Sequence, residues 1–277
     1  GTPTTLVMRD ILQHASSIDE AISLVRSRKV FVTDIFTIAD GKTGEIAVVE
    51  LTPARAVVRR KTGVIAATNH LLHDAFKDDG QNAWRMRDGT TGARYERMNE
   101  LVERHKGRLN PQVIQSILRD RKGAGDVELS LGHRGTIDAL IATHAVIFDV
   151  TSRKFWVSSP PHTLGEFVEY DLREIMAGEV VDHGALPADE LLKSDTPARL
   201  TEARTLLKRA RKEEDLTAAR AAHEMFPRHP SFLLTLGRLC DEDGDVECAR
   251  EAFEAFLAEL PPNQKNADEV RERLSQL

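Results

Sequence analysis

The sequence predicts an α+β domain followed by an all-α domain. Apolar residues recur at helical spacing near the start, alternate as in strands from about Val30, and later return to helical spacing. Strand signals end near Gly178, beyond which Ala, Leu, Glu and Arg dominate. Helices grouped apart from strands are typical of α+β domains rather than of alternating βαβ units. We place the two domains at residues 1–182 and 183–277.

Composition narrows the classes of function. Hydrophobic residues make up 41% of the 277 residues, which is ordinary for a folded globular protein. The net charge of −6 is mild and its charges are mixed, so the chain offers no long basic surface for nucleic acid. No apolar run approaches the roughly 20 residues of a transmembrane helix, and no transmembrane segment is expected. The two cysteines, Cys240 and Cys248, argue against a disulfide scaffold and leave the compartment unknown.

Two helices are predicted first. Leu6, Ile11 and Leu12 fall at helical intervals in a first helix from Thr4 to Ala15. Ser17 followed by Glu20 matches the capping box of a second helix, which we expect to continue to about Arg28.

An antiparallel meander is predicted next. Its strands centre on Phe36 and Ile38, then run from Glu45 to Leu51, from Arg55 to Arg60 and from Val64 to Thr68. The Asp40 to Gly44 segment is interpreted as a hairpin turn.

The rest of the first domain continues with helices and a hairpin. Helices are predicted from Arg94 to His105 and from Pro111 to Arg121, since Pro111 suits a first turn. A hairpin is predicted from Thr143 to Val150 and from Lys154 to Ser158. Residues 77–92, rich in Asp, Gly and Arg, are interpreted as a surface loop.

The second domain has the spacings of a tetratricopeptide repeat. Gly237, Ala249, Phe253 and Pro261 occupy characteristic positions, and Pro227 lies 34 residues before Pro261. Small residues would let paired helices approach, and Phe253 would fill the gap between them. The alternative is a generic amphipathic helical hairpin. The two cysteines are interpreted here as small buried packing residues.

An ordered set of features over residues 1–171 carries a family resemblance. An Arg-containing helix, the Ser17 helix start and two strands precede Thr68-Asn69-His70. This order resembles the acyl-coenzyme A:6-aminopenicillanate acyltransferase family of N-terminal-nucleophile (Ntn) hydrolases. The resemblance implies an αββα sandwich and a catalytic cysteine freed by self-cleavage, upstream of the region that Gly1 resembles. We therefore expect this chain to be a C-terminal portion that lacks its nucleophile and is inactive alone.

Two catalytic residues follow from the resemblance. Asn69 matches the asparagine of the family's Thr-Asn-His and would donate an amide N–H to the oxyanion, unless it only caps the turn that follows. Arg134 ends Leu129-Ser130-Leu131-Gly132-His133-Arg134, similar to a Ser-rich segment ending in arginine. It would help to organise the site, with an ordinary surface arginine as the alternative.

The chemistry implied needs no cofactor or metal. His70 and His73 have a spacing that suits a metal on one helical face, but three ligands are not evident, which favours packing or hydrogen bonding for His70.

Two functions stay open at this point. The first is part of a cysteine Ntn amidohydrolase or acyltransferase that acts on a small-molecule amide through an acyl-enzyme. Its nucleophile would come from an upstream chain or segment, and its helical repeat could bind a protein partner. The alternative is a non-catalytic Ntn-like scaffold whose helices mediate protein interaction.

Overall fold

The computed structural model describes residues 1–61, 63–259 and 266–277. These residues form two compact units. The first unit comprises Gly1–Met86, Ile147–Phe155 and Glu169–His183, and the second comprises Arg87–Val146, Trp156–Val168 and Gly184–Leu277. The division between residues 182 and 183 stays a prediction as a domain boundary.

Two helices open the first unit, as predicted. They are α1 (Thr4–His14) and α2 (Ile18–Ser27). The Ser17 hydroxyl accepts a hydrogen bond from the Glu20 N–H at 3.2 Å, which caps α2. The Glu20 carboxylate accepts from the backbone N–H of Ser16 at 2.7 Å, one residue earlier than a standard capping box would require.

A three-stranded antiparallel sheet follows and confirms the meander. Its strands β1 (Asp34–Ala39), β2 (Ile46–Leu51) and β3 (Ala56–Lys61) are ordered β1-β2-β3, with β2 in the centre. Helix and sheet residues share one apolar core. Its buried members are Val7, Ile11, Ile18, Ala21, Ile22, Val25, Val30, Phe36, Ala47, Val49 and Leu51.

The predicted strand from Val64 to Thr68 is wrong. Residues 64–68 form no regular secondary structure, although Ala66 is buried and its neighbours are half-buried. An apolar run indicates that a segment is buried. A buried segment need not pair with a β-strand through its backbone.

The predicted surface loop at residues 77–92 is also wrong, because it contains α3 (Gly80–Asp88). This helix has little apolar periodicity, so its sequence resembles a loop. Its start is fixed by a polar contact instead, since the Asp79 carboxylate accepts from the Asn82 N–H at 2.7 Å.

A second sheet has the strand order β4-β5-β6-β7. The strands are β4 (Val146–Asp149), β5 (Lys154–Ser158), β6 (Phe167–Asp171) and β7 (Ala185–Leu186), and α6 (Leu172–Ala177) follows β6. The predicted hairpin is therefore present as β4 and β5. The structure is mixed α and β as the sequence indicates, while the Ntn sandwich stays a prediction.

Two helices of the second unit lie where the sequence predicts them. They are α4 (Thr91–Arg104) and α5 (Pro111–Leu118). The Asn110 side chain caps α5 by accepting from the Val113 N–H at 2.8 Å, with proline in the first turn.

The chain ends in five helices. They are α7 (Thr196–Glu213), α8 (Leu216–Met225), α9 (Pro230–Asp243), α10 (Val246–Glu259) and α11 (Asn266–Leu274). Gly237 of α9 lies against the Phe253 ring of α10, in the close contact that the spacing predicts. Pro261 lies outside the described residues, and the tetratricopeptide repeat stays a prediction. No helix within the described ranges has the length and apolarity to cross a membrane.

Candidate active site

The Thr68-Asn69-His70 segment lies in an irregular stretch of the first unit after β3. The Thr68 hydroxyl and His70 Nδ1 are 3.0 Å apart, and the His70 ring is buried with 1% exposure. Asn69, between them, is exposed. Asn69 thus lies at the surface between two residues whose side chains contact each other.

A buried carboxylate holds the next residues of this segment. Glu50 of β2 has no exposed surface, and one of its oxygens accepts from the backbone N–H groups of Leu72 and His73, both at 2.9 Å. Its other oxygen accepts from Arg59 Nε at 2.5 Å. Buried carboxylates require such partners, so these contacts act together and tie the segment to the sheet.

A buried amide holds the same segment from α3. The Asn82 side chain accepts from the Leu71 N–H at 2.8 Å and donates to the Leu71 carbonyl at 2.9 Å. It satisfies both backbone groups of one residue, as a neighbouring strand would. Strand β2 and helix α3 therefore fix the backbone that follows Asn69 from two directions.

This arrangement can present an amide donor with little reorganisation. An exposed asparagine on a backbone held by buried hydrogen bonds has a limited range of positions. Donors fixed in advance stabilise a developing oxyanion more effectively than donors that must first become ordered. The catalytic role of Asn69 stays a prediction.

Sequence reasoning missed Glu50, Arg59 and Asn82. The signal for Glu50 was present, because it is a charged residue within the apolar run Ile46-Ala47-Val48-Val49-Glu50-Leu51. No comparable signal marked Asn82, since it lies in a mostly polar stretch rather than in an apolar run.

The two histidines of this region are used locally. His73 Nδ1 accepts from the Ala75 N–H at 3.1 Å and so caps a short 3₁₀ helix, Asp74–Phe76. His70 Nδ1 is within hydrogen-bond distance of Thr68. The His70 contact agrees with the packing or hydrogen-bonding interpretation of that residue.

Arg134 lies in the second unit, and Asn69 lies in the first. Arg134 is exposed and follows His133, whose ring is buried and whose Nε2 donates to the Glu259 carbonyl at 2.8 Å. Arg134 lines a small cavity with His133, Arg211 and His229. Its catalytic role stays a prediction.

Both cysteines pack in the apolar core of the terminal helices, as interpreted, and they are also bonded to each other. Cys240 and Cys248 form a disulfide across the turn from α9 to α10, with Cys240 fully buried. The turn brings the end of one helix beside the start of the next, which brings the two sulfurs together. Asp245 lies within 4.8 Å of both sulfurs, but sulfurs bonded to each other offer a metal no thiolates.

The family model for acyl-coenzyme A:6-aminopenicillanic acid acyl-transferase matches residues 1–160, more than half of the chain. The chain belongs to this family. Searches of curated proteins and of solved structures found no match.

Proposed function

We propose that this chain supplies the oxyanion-stabilising part of a cysteine Ntn amidohydrolase or acyltransferase that cleaves linear amide bonds. The observation that carries the proposal is the exposed Asn69 on a backbone held by Glu50 and Asn82. This segment lies inside the part of the chain that the family model matches. An acyltransferase or hydrolase of this kind accounts for both facts.

The reaction would proceed through an acyl-enzyme. A cysteine thiolate attacks the amide carbonyl carbon, and the carbonyl oxygen becomes an oxyanion that accepts the Asn69 Nδ2–H. The C–N bond breaks as the nucleophile's own α-amino group, acting as general acid, passes the thiol proton to the leaving amine. Water or a second amine then attacks the thioester, loses a proton to the same base and releases the cysteine.

The nucleophile in this proposal comes from a segment or chain upstream. The chain has two cysteines, and they are bonded to each other, so neither provides a thiolate. In the same proposal Arg134 helps to organise the site, and the terminal helices bind a protein partner.

The test is the Asn69→Ala variant of the assembled enzyme from its native source, assayed on a panel of linear amides. We expect kcat to fall by about 10²–10³ with little change in KM, because the donor acts mainly on the transition state. Asn99→Ala, which removes an exposed asparagine from α4, is the matched control and should leave kcat unchanged.

Two results would contradict the proposal. One is an Asn69→Ala enzyme with full activity and an unchanged Tm. The other is an assembled protein without any amidase or acyl-transfer activity, which would favour the scaffold alternative.

A further inference from the structure

A small cavity in the second unit has an unusual lining. Its volume is about 110 Å³, and it is lined by residues that include His133, Arg134, Arg211, His229 and Ser231. A space of this size holds several water molecules or one tetrahedral oxyanion. Among the described residues, no aspartate or glutamate lines it. The cavity therefore has cationic walls without a matching negative charge.

The two arginines are not neutralised within the described part of the chain. Arg134 has no ion-pair partner there, and it is exposed at the cavity. Arg211 donates to the Thr235 hydroxyl at 3.0 Å and to the Ser231 carbonyl at 3.4 Å, both uncharged acceptors. Guanidinium groups in proteins usually face carboxylates or phosphates, so this pair lacks its ordinary counter-charge.

Further arginines add positive charge around this cavity. Burial, and next the neighbouring Arg134, lower the pKa values of Arg94 and Arg204. Burial lowers the pKa of Arg211, and the positive charge of Arg238 lowers it further. Asp138 opposes the effect only at Arg204. The local excess of positive charge would be relieved by a bound anion.

A buried imidazole adds a hydrogen-bond donor. His229 is 5% exposed and caps α9, where its Nδ1 accepts from the Ser231 N–H at 3.2 Å. The ring proton therefore lies on Nε2, which makes no hydrogen bond of standard geometry to a described residue, although the Gly132 backbone interacts with it slightly. The backbone of Gly132 lies nearby, and a side chain at Gly132 would approach to 3.4 Å from this nitrogen and 3.0 Å from Arg204. A buried donor without a partner is costly, and a ligand acceptor would remove that cost.

We propose that this cavity binds a phosphate group through Arg134, Arg211 and His229. A phosphate carries close to two negative charges and three acceptor oxygens, which match two guanidinium groups and one imidazole N–H. The start of the 14-residue α9 at the cavity adds the positive end of a helix dipole. His133 serves as a wall, because its Nε2 is already bonded to Glu259.

The phosphate can be free inorganic phosphate or the terminal group of a small phosphomonoester. Both present the same oxygens, and they differ in the room needed beyond the cavity mouth. This inference does not depend on the proposed catalytic activity.

Binding is measured by calorimetry on the full chain at constant ionic strength, with inorganic phosphate, glycerol 2-phosphate and acetate as separate probes. We expect saturable binding of phosphate, and weakening by about tenfold in each of Arg134→Gln and Arg211→Gln. Arg209→Gln is the matched control. It removes an equal charge from the same helix α7 as Arg211, at a residue paired with Asp215, and should change the affinity less than twofold.

The two phosphate sources give different results. Binding of inorganic phosphate alone assigns a free-anion site, and binding of both phosphate probes assigns a phosphomonoester site. At one phosphate concentration, phosphate should also raise the Tm of the unmodified chain more than the Tm of Arg211→Gln.

Three results would overturn the proposal. They are no saturable phosphate binding, equal weakening by Arg209→Gln, or acetate binding as tightly as phosphate. Because Arg134 and Arg211 are exposed, their variants should fold, and unchanged circular dichroism would verify this.

Discussion

Two buried polar side chains determine the backbone around the candidate site. Glu50 accepts from two successive N–H groups, and Asn82 satisfies both backbone groups of Leu71. These contacts hold residues 71–73, directly after the irregular stretch that contains Asn69. Side chains there supply backbone hydrogen bonds that a strand partner would otherwise supply.

The sequence singles out Asn69 as a candidate, but it does not reveal the side chains that hold the backbone after Asn69. Asn69 stood out through the Thr-Asn-His order, which is local in the chain. Asn82 acts on Leu71 from 11 positions away, and nothing in a polar helix marks which amide turns inward. Contacts that depend on chain folding leave little trace in local patterns.

A pH effect is predicted at His229. Burial, followed by Arg204 and His133, lowers its pKa to about 4, against about 6.5 in the unfolded chain. Above pH 6.5 the ring is neutral in both the folded and the unfolded state, so His229 does not lower the free energy of unfolding. As pH falls from 6.5 to 4, His229 binds a proton in the unfolded state but stays neutral in the folded state. The free energy of unfolding therefore decreases by about 3 kcal/mol at most.

Urea unfolding of the full chain in phosphate-free buffer between pH 7.5 and 4.5 measures this effect. His229→Gln should flatten the pH dependence, whereas His144→Gln, at an exposed site, should leave it as it is. The same slope in the unmodified chain and in His229→Gln would exclude His229 as its source.

At the scale of elements, the pairing of α9 with α10 depends on Gly237. A Cβ at this position would lie 2.6 Å from the Phe253 ring. Gly237→Ala should destabilise the chain by about 1–2 kcal/mol, because overpacking outweighs the higher helix propensity of alanine. Thermal unfolding measures the loss.

The control for this change is Gly80→Ala in α3, where a Cβ would meet nothing within 4 Å. It should be neutral or slightly stabilising. Adding Phe253→Leu to Gly237→Ala should recover part of the loss, and failure to do so would show that the ring is not what Gly237 accommodates.

Elements with a strong period were predicted well, and those without one were not. α1, α2, α5 and the three-stranded meander have apolar patterns or caps that local chemistry specifies. Helix α3 starts with an aspartate cap and is held by a buried amide, so its apolar period is too weak to distinguish it from a loop.

For the whole molecule, the family membership and the cysteine pair together bear on the source of the nucleophile. The chain belongs to a family of acyltransferases, yet its two cysteines bond to each other across a helical turn. In our proposal, an acyl-transfer site built from this chain takes its thiolate from another segment or chain. The central claim is that a cysteine-bearing segment completes the site at Asn69.

The most direct test is intact mass and N-terminal sequencing of the protein purified under non-denaturing conditions from its native source. We expect a co-purifying chain whose first residue is cysteine, in equal amount with this polypeptide. An active amide-cleaving preparation that contains no such chain would contradict this expectation.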